Sequence, residues 1–519
     1  MHSPVFLSLL SAALFSAPAA AAQDRPPRGG ERGGPQVDAG LKKNEEGAFQ
    51  GYTFFAPIRS KTTYLIDMEG EVVHEWPSEH PPGNAAYLME DGSIVRTAQD
   101  FDNPTFHGGG SGGRIQRISW EGELLWDYLF SNEEHMQHHD IACLPNGNVL
   151  MIAWEFKTRE EAIAAGRDPS SLEEGGIWPD TVIEVKPEGE TDGEIVWEWR
   201  LWDHLIQDHD EERENFGDVG AHRELVDVNH AARGDGDWNH TNSINYNAKL
   251  DQVTISVRTF NELWVIDHST TTEEAAGHEG GERGRGGDLL YRWGNPEAYR
   301  RGSRRDMQLF GQHDVHWIDA GLPGEGNILV FNNGDRGGRE YSSVDEIVTP
   351  VSKKGVYETE DEAAFGPKRA SWTYGNEESE RFSSNFISGA QRLPNGNTLI
   401  CSGADGRLLE VTAENELVWE YVNGFFDEGI TPAGRRGPNR GPGGRRGGPP
   451  DGGGPPGRGR PPGRDGPPDG GPRDGGQRGR RGGGGGGPNI VFRALRFASE
   501  HPGLARLTEE AEVSGEKDE

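Results

Sequence analysis

Three histidines stand in similar polar settings at widely separated points of the sequence. His139, His240 and His313 each lie where a polar segment leads into a short run with β-strand character. Side chains at the starts of strands in a repeating β-fold can face a common space, so these imidazoles could form one site. The three stretches are QHHDI at 137–141, DWNHTNSI at 237–244 and QHDV at 312–315.

Two kinds of chemistry fit such a histidine cluster. Neutral imidazoles bind zinc or another divalent ion, and Asp140 and Asp314 are near enough in sequence to complete such a site. An imidazole can alternatively be a nucleophile that carries a transferable group while its neighbours act as acid, base or charge stabiliser. The second chemistry requires a nearby arginine, because an oxyanion is best bound by a planar partner with several donors. Arg336, which follows the hairpin of His313, is the predicted arginine.

Polar neighbours of the three histidines are the predicted substrate-binding residues. Each lies within two positions of a candidate catalytic histidine, so its side chain could reach the same space. They are His138, Asn242 and Asp314.

Two sequence patterns recur and predict the strands that position these residues. Six segments end in aromatic residues, and in five of them positions i and i+2 are both aromatic, which puts two rings on one face of a strand. Hairpins with polar turns alternate with them, for example the Pro-Asn-Gly-Asn turns within 143–150 and 392–399. The aromatic-ended segments are 74–76, 126–128, 197–199, 291–293, 372–374 and 419–421.

The alternation of these patterns, at spacings of roughly 45 to 95 residues, predicts an all-β fold, a six-bladed β-propeller with four-stranded blades. An array of β-sandwiches is the alternative. It fits less well, because nothing between the repeats resembles a domain linker.

Composition predicts further divisions of the chain. An apolar run followed by four alanines is typical of a signal peptide, and a Gly/Pro/Arg-rich insert has no apolar content to bury, which predicts disorder. The predicted parts are a signal peptide at 1–22, a flexible leader at 23–50, the propeller at 51–432, the disordered insert at 433–488, a closing strand at 489–505 and an acidic tail at 506–519.

Charge and hydropathy limit the possible partners. The net charge is −34, and the insert contributes twelve arginines and four aspartates, or +8, so the remainder carries −34 − 8 = −42. A body this acidic repels nucleic acid and anionic lipid. No later stretch approaches the roughly 20 apolar residues of a membrane helix. We therefore predict a periplasmic or secreted protein with no membrane span and no nucleic-acid partner; the sequence leaves its oligomeric state open.

The motifs resemble those of the bacterial arylsulfotransferases. The shared elements are HHDI with a downstream LPNGN, NHTNSI, QHDV with a downstream FNNGDR, and GAQRLPNGNTLI followed by VWEY. The resemblance covers about 50–430 and resumes at 489. It implies a six-bladed propeller that moves a sulfuryl group from a phenolic sulfate ester to a phenol through a sulfated histidine, by a ping-pong route. It also implies independence from a nucleotide sulfate donor, so neither a cofactor nor a metal is predicted.

The resemblance implies catalytic roles for individual residues. His240 and His313 fall on the family's histidine motifs, and Arg336 on its arginine. The segment 383–388 (SSNFIS) has no histidine, although the family carries one in a late blade. Either His139 takes that place or the chemistry has changed, and the identity of the nucleophile stays open.

Two other functions remain compatible with the sequence. The first is a metal-dependent hydrolase or lyase that uses His139, His240 and His313 as ligands. The second is a non-catalytic propeller that binds a ligand in its channel. Stoichiometric bound metal would favour the first, whereas ligand binding without metal or transfer activity would favour the second.

Overall fold

Strand composition changes from the inside of each blade to its outside. In the third blade, the strand VLMIAWE is buried at every position, whereas the outermost strand DGEIVWEWR is buried only at two tryptophans. Continuous apolar runs therefore occupy the middle of the sheets, and alternating runs form their outer edges. The computed structural model describes residues 37–507 except 173–174, 233–235, 336–338, 361, 379–381, 429 and 431–486.

The described strands form six antiparallel sheets arranged as a six-bladed β-propeller, which confirms the predicted fold. In chain order they begin with β1 (Gly40–Asn44), β2 (Tyr52–Pro57), β3 (Thr63–Ile66) and β4 (Val72–Trp76). Blade 2 contains β5 (Pro82–Leu88), β6 (Ile94–Gln99), β7 (Gly113–Ile118) and β8 (Leu124–Leu129). Blade 3 contains β9 (His135–Cys143), β10 (Val149–Glu155), β11 (Asp180–Glu188) and β12 (Asp192–Arg200).

The remaining blades follow the same plan. An insertion carries the short parallel pair β13 (Leu205–Ile206) and β14 (Val226–Asp227). Blade 4 contains β15 (Thr241–Asn247), β16 (Gln252–Val257), β17 (Glu262–Asp267) and β18 (Tyr291–Trp293). Blade 5 contains β19 (His313–Trp317), β20 (Ile328–Asn332), β21 (Ser343–Ile347) and β22 (Trp372–Tyr374). Blade 6 contains β23 (Gly389–Arg392), β24 (Thr398–Ser402), β25 (Arg407–Val411) and β26 (Leu417–Val422), and β27 (Val491–Phe497) follows.

Helices are short and lie in the connections. The α-helices with both ends among the described residues are α1 (Arg159–Ala164) and α2 (Thr272–Ala275), each started by a threonine and glutamate capping box. The 3-10 turns are Pro169–Ser171, Leu201–His204, Pro296–Tyr299, Arg304–Asp306 and Pro502–Leu504. Among the described residues, none of these helices has the length and apolar character needed to cross a membrane.

The aromatic-ended segments are the fourth strands of the six blades counted from the axis, β4, β8, β12, β18, β22 and β26, and only β26 has a further strand, β1, outside it. Their rings pack on one face: Trp126 stacks on Tyr128 at 5.5 Å, and Trp419 on Tyr421 at 6.0 Å. Stacked aromatic pairs stabilise a fold by about 0.5–1.5 kcal/mol beyond the area they bury. The repeated aromatic pairs therefore mark the fourth strand of each blade.

Both ends of the described chain close the ring. β27 is the innermost strand of blade 1 and pairs with β2, at the position where the sequence predicted a closing strand. β1 pairs with β26 at the outer edge of blade 6. The predicted leader at 23–50 is therefore wrong for 40–44, which form part of the propeller. Most side chains of β1 are exposed and its pairing uses the backbone, so composition gave no sign of it.

The innermost strands β27, β5, β9, β15, β19 and β23 contact their neighbours around a central axis. Side chains of one strand bind the backbone of the next: Asp140 accepts from Ile244 N–H at 3.2 Å, and Asp314 from Ala390 N–H at 2.8 Å. These bonds fix the position of one inner strand relative to the next along the channel axis. The strand starts therefore share one end of the channel.

A buried ion pair crosses the middle of the channel. From β27, Arg493 donates to Asp140 at 2.9 Å and lies 2.8 Å from Asp314, so one guanidinium joins blades 1, 3 and 5. Tyr87 of blade 2 donates to Asp140 at 2.7 Å and also contacts Arg493. Burial would lower the pKa of Arg493, but the two carboxylates outweigh it and raise that pKa. The ring is therefore tied together at its centre by charge.

Replacing this arginine is expected to weaken the whole fold. Arg493→Met leaves Asp140 and Asp314 buried without their cation, and removing one member of such a group typically destabilises a protein by about 3–5 kcal/mol. Arg506→Met is the control, because Arg506 makes an exposed pair with Glu121. Urea unfolding followed by tryptophan fluorescence should show a much lower midpoint for the first variant alone. Equal, small shifts would contradict the central role of the bridge.

Candidate active site

Local backbone distortions turn the site residues toward the channel. His139 and His240 have φ angles of 51°, and Asp314 has 54°, values that non-glycine residues seldom adopt. At the same places the pairing register shifts in β9, β15 and β19. Such bulges re-aim side chains at the edges of functional sites. These three inner strands thus each carry a bulge near the start that points polar groups away from the sheet.

His240 forms a dyad with a carboxylate. Its Nδ1 lies 2.5 Å from Oδ2 of Asp237, and the other oxygen of Asp237 accepts from Trp154 at 3.1 Å. Burial would raise the pKa of Asp237, but the charge and hydrogen bond of His240 outweigh it and lower that pKa. Because an ionised carboxylate only accepts, the proton of neutral His240 lies on Nδ1 and the lone pair on Nε2.

His139 is the last of three side chains that are linked by hydrogen bonds. His138 Nε2 lies 3.1 Å from Oδ1 of Asp180, and the Nδ1 atoms of His138 and His139 are 2.8 Å apart. With its proton donated to Asp180, neutral His138 accepts at Nδ1, so His139 donates from Nδ1 and holds a lone pair on Nε2. Its ring centre lies 4.7 Å from that of His240. The site therefore contains two unprotonated Nε2 atoms on adjacent rings.

His313 has both nitrogens engaged by the protein. Nδ1 lies 2.8 Å from Oδ1 of Asn333, and Nε2 accepts from the backbone N–H of Ile387 at 3.2 Å. Burial, together with the positive charge of Arg258, lowers the pKa of His313 to about 3. This histidine is a neutral, fully bonded group that links blades 5 and 6.

Arg258 is the arginine that the described residues place at the cluster. It begins the turn between β16 and β17, and its backbone N–H donates to the carbonyl of His240. Burial lowers the pKa of His139 well below its usual value, and Arg258 is among the charges that lower it further, as it also does for His313. The two imidazoles are therefore neutral at pH 7, and the positive charge of the cluster comes from arginine.

A glycine-rich loop at 108–113 covers the imidazoles. The carbonyl of Gly110 accepts from the backbone N–H of His139 at 2.7 Å, and a Cβ on Gly110 would lie 2.1 Å from the His139 ring. A Cβ on Gly109 would lie 3.8 Å from His240. Glycine is required here because any side chain at 110 would displace the imidazole. His139 is only 4% exposed and His313 2%, whereas the His240 side chain is 16% exposed.

The other predicted site residues lie in different places. His138 is fully buried and stacks on Trp154 at 4.1 Å, so it holds His139 from behind. Asn242 is buried and donates to the carbonyl of Gln312 at 2.8 Å. Asp314 belongs to the ion pair of Arg493. Arg336 lies outside the described residues.

The ion pair of Arg493 separates the two ends of the channel. Beyond it, a cavity of about 500 Å³ is lined by residues from all six inner strands, including Asp314, His316 and Arg493. A larger cavity of about 1240 Å³ lies off the axis beside Phe310 and Tyr341. Neither cavity is lined by the three histidines. Substrate would therefore reach the cluster from the end where the strands start.

Sequence reasoning missed several members of this cluster. Asp237 stands in the same motif as His240, and its i, i+3 spacing was a usable signal. Arg258 and Asn333 follow buried strands within hairpin turns, where a polar residue is unremarkable. The glycine loop has no strand-then-helix context in the sequence that would mark it as part of a site. Only the packing of blades brings these residues together.

Comparison with family models identifies one match. The model of the arylsulfotransferase (ASST) family matches residues 41–421, which is well over half of the chain. A search of curated proteins found no match.

Solved structures resemble the chain distantly. A Bacteroides caccae protein of unknown function is 14% identical, with 72% of this chain and 94% of that chain covered and a TM-score of 0.39. Inactive virginiamycin B lyase from Staphylococcus aureus, solved with quinupristin, is 10% identical, with 74% and 88% covered and a TM-score of 0.34. Similarities this low carry no information about function.

The neutral state of His313 predicts a specific pH dependence of stability. Its folded pKa of about 3 lies below the ordinary 6.5, so the unfolded chain binds a proton first as the pH falls. Stability should therefore fall between pH 6.5 and 3, by at most about 1.4 kcal/mol per pH unit for this one group. His313→Gln should show a shallower slope in unfolding experiments over this range, whereas exposed His222→Gln should not. An unchanged slope in His313→Gln would contradict the buried neutral state.

Proposed function

The chain belongs to the arylsulfotransferase family, and from this premise we propose that it transfers a sulfuryl group from an aryl sulfate ester to a phenol through sulfated His240. The family implies a transferase that acts on small-molecule substrates. The covalent intermediate and the residue roles are our proposal. We also propose that the protein acts outside the cytoplasm; the predicted signal peptide at 1–22 lies outside the described residues.

One observation carries the choice of His240. Its Nδ1 is held by Asp237, and among the described residues no hydrogen bond occupies its Nε2. His313 uses both nitrogens to bind protein, and the Nε2 of His139 lies under Gly110. A nucleophile requires a free lone pair with access to substrate. His240 meets both conditions best.

The first half-reaction forms a nitrogen–sulfur bond. The Nε2 lone pair of His240 attacks the sulfur of the aryl sulfate, and the bond between sulfur and the phenolic oxygen breaks. The electron pair leaves with the phenolate, which takes its proton from solvent. The imidazole becomes an N-sulfated cation, whose charge the Asp237 carboxylate balances at Nδ1. Asp237 thus stabilises the intermediate as well as the orientation of the ring.

The second half-reaction returns the enzyme to its starting state. A phenol enters after the first product leaves, and its oxygen attacks the sulfur. Its proton is released to solvent. The nitrogen–sulfur bond breaks, and its electron pair returns to His240. The hydrogen bonds from Asp180 through His138 to His139 hold the imidazole of His139 beside His240 during both half-reactions.

Arg258 supplies the positive charge that this transfer needs. Negative charge spreads over the three non-bridging sulfuryl oxygens in the transition state, as in phosphoryl transfer. The neighbouring imidazoles are neutral, so a guanidinium must provide the stabilisation, and it can donate two parallel hydrogen bonds. A fixed donor in a partly buried site is more effective than water, because it needs no reorientation during the reaction.

A metal-dependent reaction at the same histidines is less well supported. The charge of Arg258 lowers the pKa of His139 and His313, and it would repel a divalent ion in the same way. Both nitrogens of His313 would also have to leave their protein partners to reach a metal. The geometry favours a bound anion over a bound cation.

Covalent transfer through His240 should be visible by intact mass. Incubation with 4-nitrophenyl sulfate and no acceptor should add one sulfuryl group, about 80 Da, to the wild-type protein, because the first half-reaction needs no phenol. His240→Ala should gain no mass, whereas His313→Gln should still be modified if folded. Peptide mapping would then place the group on His240.

Controls separate the alternatives. Asp237→Asn should form the adduct roughly 10²–10⁴-fold more slowly, because the cation loses its balancing carboxylate. An adduct that persists in His240→Ala but disappears in His139→Ala would transfer the nucleophile role to His139. The absence of an adduct in wild-type protein, together with no nitrophenol release when phenol is supplied, would rule out sulfuryl transfer.

The role of Arg258 predicts graded effects of substitution. Arg258→Met should lower kcat/KM for nitrophenyl sulfate by about 10²–10³-fold, because a preorganised donor is lost. Arg258→Lys should lose less, since it keeps the charge without the planar fork. Exposed Arg305→Met is the control, and thermal unfolding would check that each variant is folded. If Arg258→Met matched the control in rate, another cation would have to bind the sulfuryl oxygens.

A further inference from the structure

A second group of histidines lies away from the channel, at the outer side of blades 3 and 4. His204 ends the 3-10 turn Leu201–His204 after β12, and His278 and Asp288 belong to the connection between α2 and β18. One ligand atom from each of the three lies within 4.8 Å of the others. Among the described residues, this is the only group of three such side chains with that spacing.

The hydrogen bonds of His204 identify which nitrogen is free. Its Nε2 lies 2.8 Å from the carbonyl oxygen of Ala275, which can only accept, so Nε2 carries the proton. Its Nδ1, unprotonated in the neutral ring, then points at Oδ1 of Asp288 from 2.9 Å. His278 directs its own Nδ1 at the same oxygen from 2.8 Å. The Nδ1 lone pair of neutral His204 therefore faces a carboxylate oxygen and repels it unless a cation, a proton or a metal ion, lies between the two atoms.

The arrangement matches the surroundings of histidines that bind metal. Such histidines almost always donate their second ring nitrogen to a carbonyl or carboxylate, which fixes the tautomer and the ring orientation. His204 does this with Ala275, is fully buried, and lies parallel to Trp199 at 5.7 Å. Trp199 in turn donates to the carbonyl of Gly287, beside Asp288. The ligand nitrogen of His204 is therefore held rigidly in place.

The connection that carries His278 and Asp288 is rich in glycine and is ordered by polar contacts, among them the ion pair of Arg283 with Asp267 at 3.0 Å. Six of the thirteen residues at 276–288 are glycine, and Ala276 is the only apolar one. Fixing each backbone residue costs about 1–2 kcal/mol, and more for glycine. The segment cannot recover this by burying a core of its own. A shared ion would fasten it to blade 3.

We propose that His204, His278 and Asp288 bind a divalent metal ion of the zinc type, through Nδ1 of each histidine and a carboxylate oxygen. Two nitrogens and one oxygen form a donor set that zinc accepts in tetrahedral sites. Ligand atoms around tetrahedral zinc are roughly 3.3 Å apart, so small side-chain movements suffice. The fourth position belongs to solvent, since the His278 side chain is 59% exposed. The ion holds the connection to the blade and takes no part in sulfuryl transfer.

Metal content of the purified full-length protein tests this site directly. After incubation with zinc and removal of excess metal, wild-type protein should retain about one zinc per chain by elemental analysis. His278→Ala, a change at an exposed position, should retain less than a tenth of that. Cobalt in place of zinc should give visible absorption bands typical of a tetrahedral nitrogen and oxygen site, and these should be absent from the variant.

Two control variants make the result specific. His222 forms a comparable exposed pair with Glu224 at 3.0 Å, so His222→Ala should keep the metal. His240→Ala should also keep it, which separates this site from the catalytic cluster. A wild-type protein that retains no zinc or cobalt, or a His278→Ala variant that retains as much as wild type, would overturn the proposal.

Proteolysis gives a readout of the structural role. Arg285 is exposed within the glycine-rich connection, so trypsin can report its order. A chelator should speed cleavage after Arg285 by about tenfold or more in wild-type protein, because local opening precedes cutting. His278→Ala should be cleaved at the fast rate with or without chelator. Equal rates in chelated and zinc-loaded wild-type protein would mean that no ion orders this segment.

Discussion

The buried bridge from Arg493 to Asp140 and Asp314 is the interaction on which the site depends. Two carboxylates at the centre of a propeller repel each other, and burial raises the pKa of Asp140 despite the opposing effect of Arg493. Their cation comes from β27, the last described strand, so the channel is neutralised only when the chain closes the ring. Because Asp140 follows His139, and Asp314 follows His313, ring closure also sets the height of both imidazoles.

The charges of the channel are divided into layers. At the middle of the channel, the negative charges of Asp140 and Asp314 are balanced by the positive charge of Arg493. At the end of the channel where the inner strands start, the buried imidazoles of His139 and His313 are neutral, and Arg258 carries the positive charge. Among the described residues of the cluster, Arg258 carries the positive charge, and the carboxylate of Asp237 is paired with His240. Under the proposed function, this local arrangement binds a sulfate ester although the chain as a whole is strongly acidic.

The sequence predicted the features that recur from blade to blade. It did not predict residues whose roles depend on a single contact in the folded protein. Aromatic pairs such as Trp126 and Tyr128 recur with the blades, so their period predicted the fold. The histidines share a motif, which predicted their convergence. Arg258 and Arg493 do not belong to a repeated motif. Each acts on a residue that lies more than 100 positions away in the sequence or on the other side of the channel. β1 joins the propeller through backbone bonds, which leave no pattern in side-chain composition.

The missing late-blade histidine can be understood from blade 6 itself. At 383–388 the chain offers the backbone N–H of Ile387, which donates to Nε2 of His313, instead of another imidazole. That bond removes the last free lone pair of His313 and ties blade 6 to blade 5. In the proposed mechanism, the described residues then leave the role of nucleophile to blades 3 and 4, where His139 and His240 lie side by side. Of these two, only His240 has a carboxylate directly on its Nδ1, and a sulfated imidazolium requires such a counter-charge.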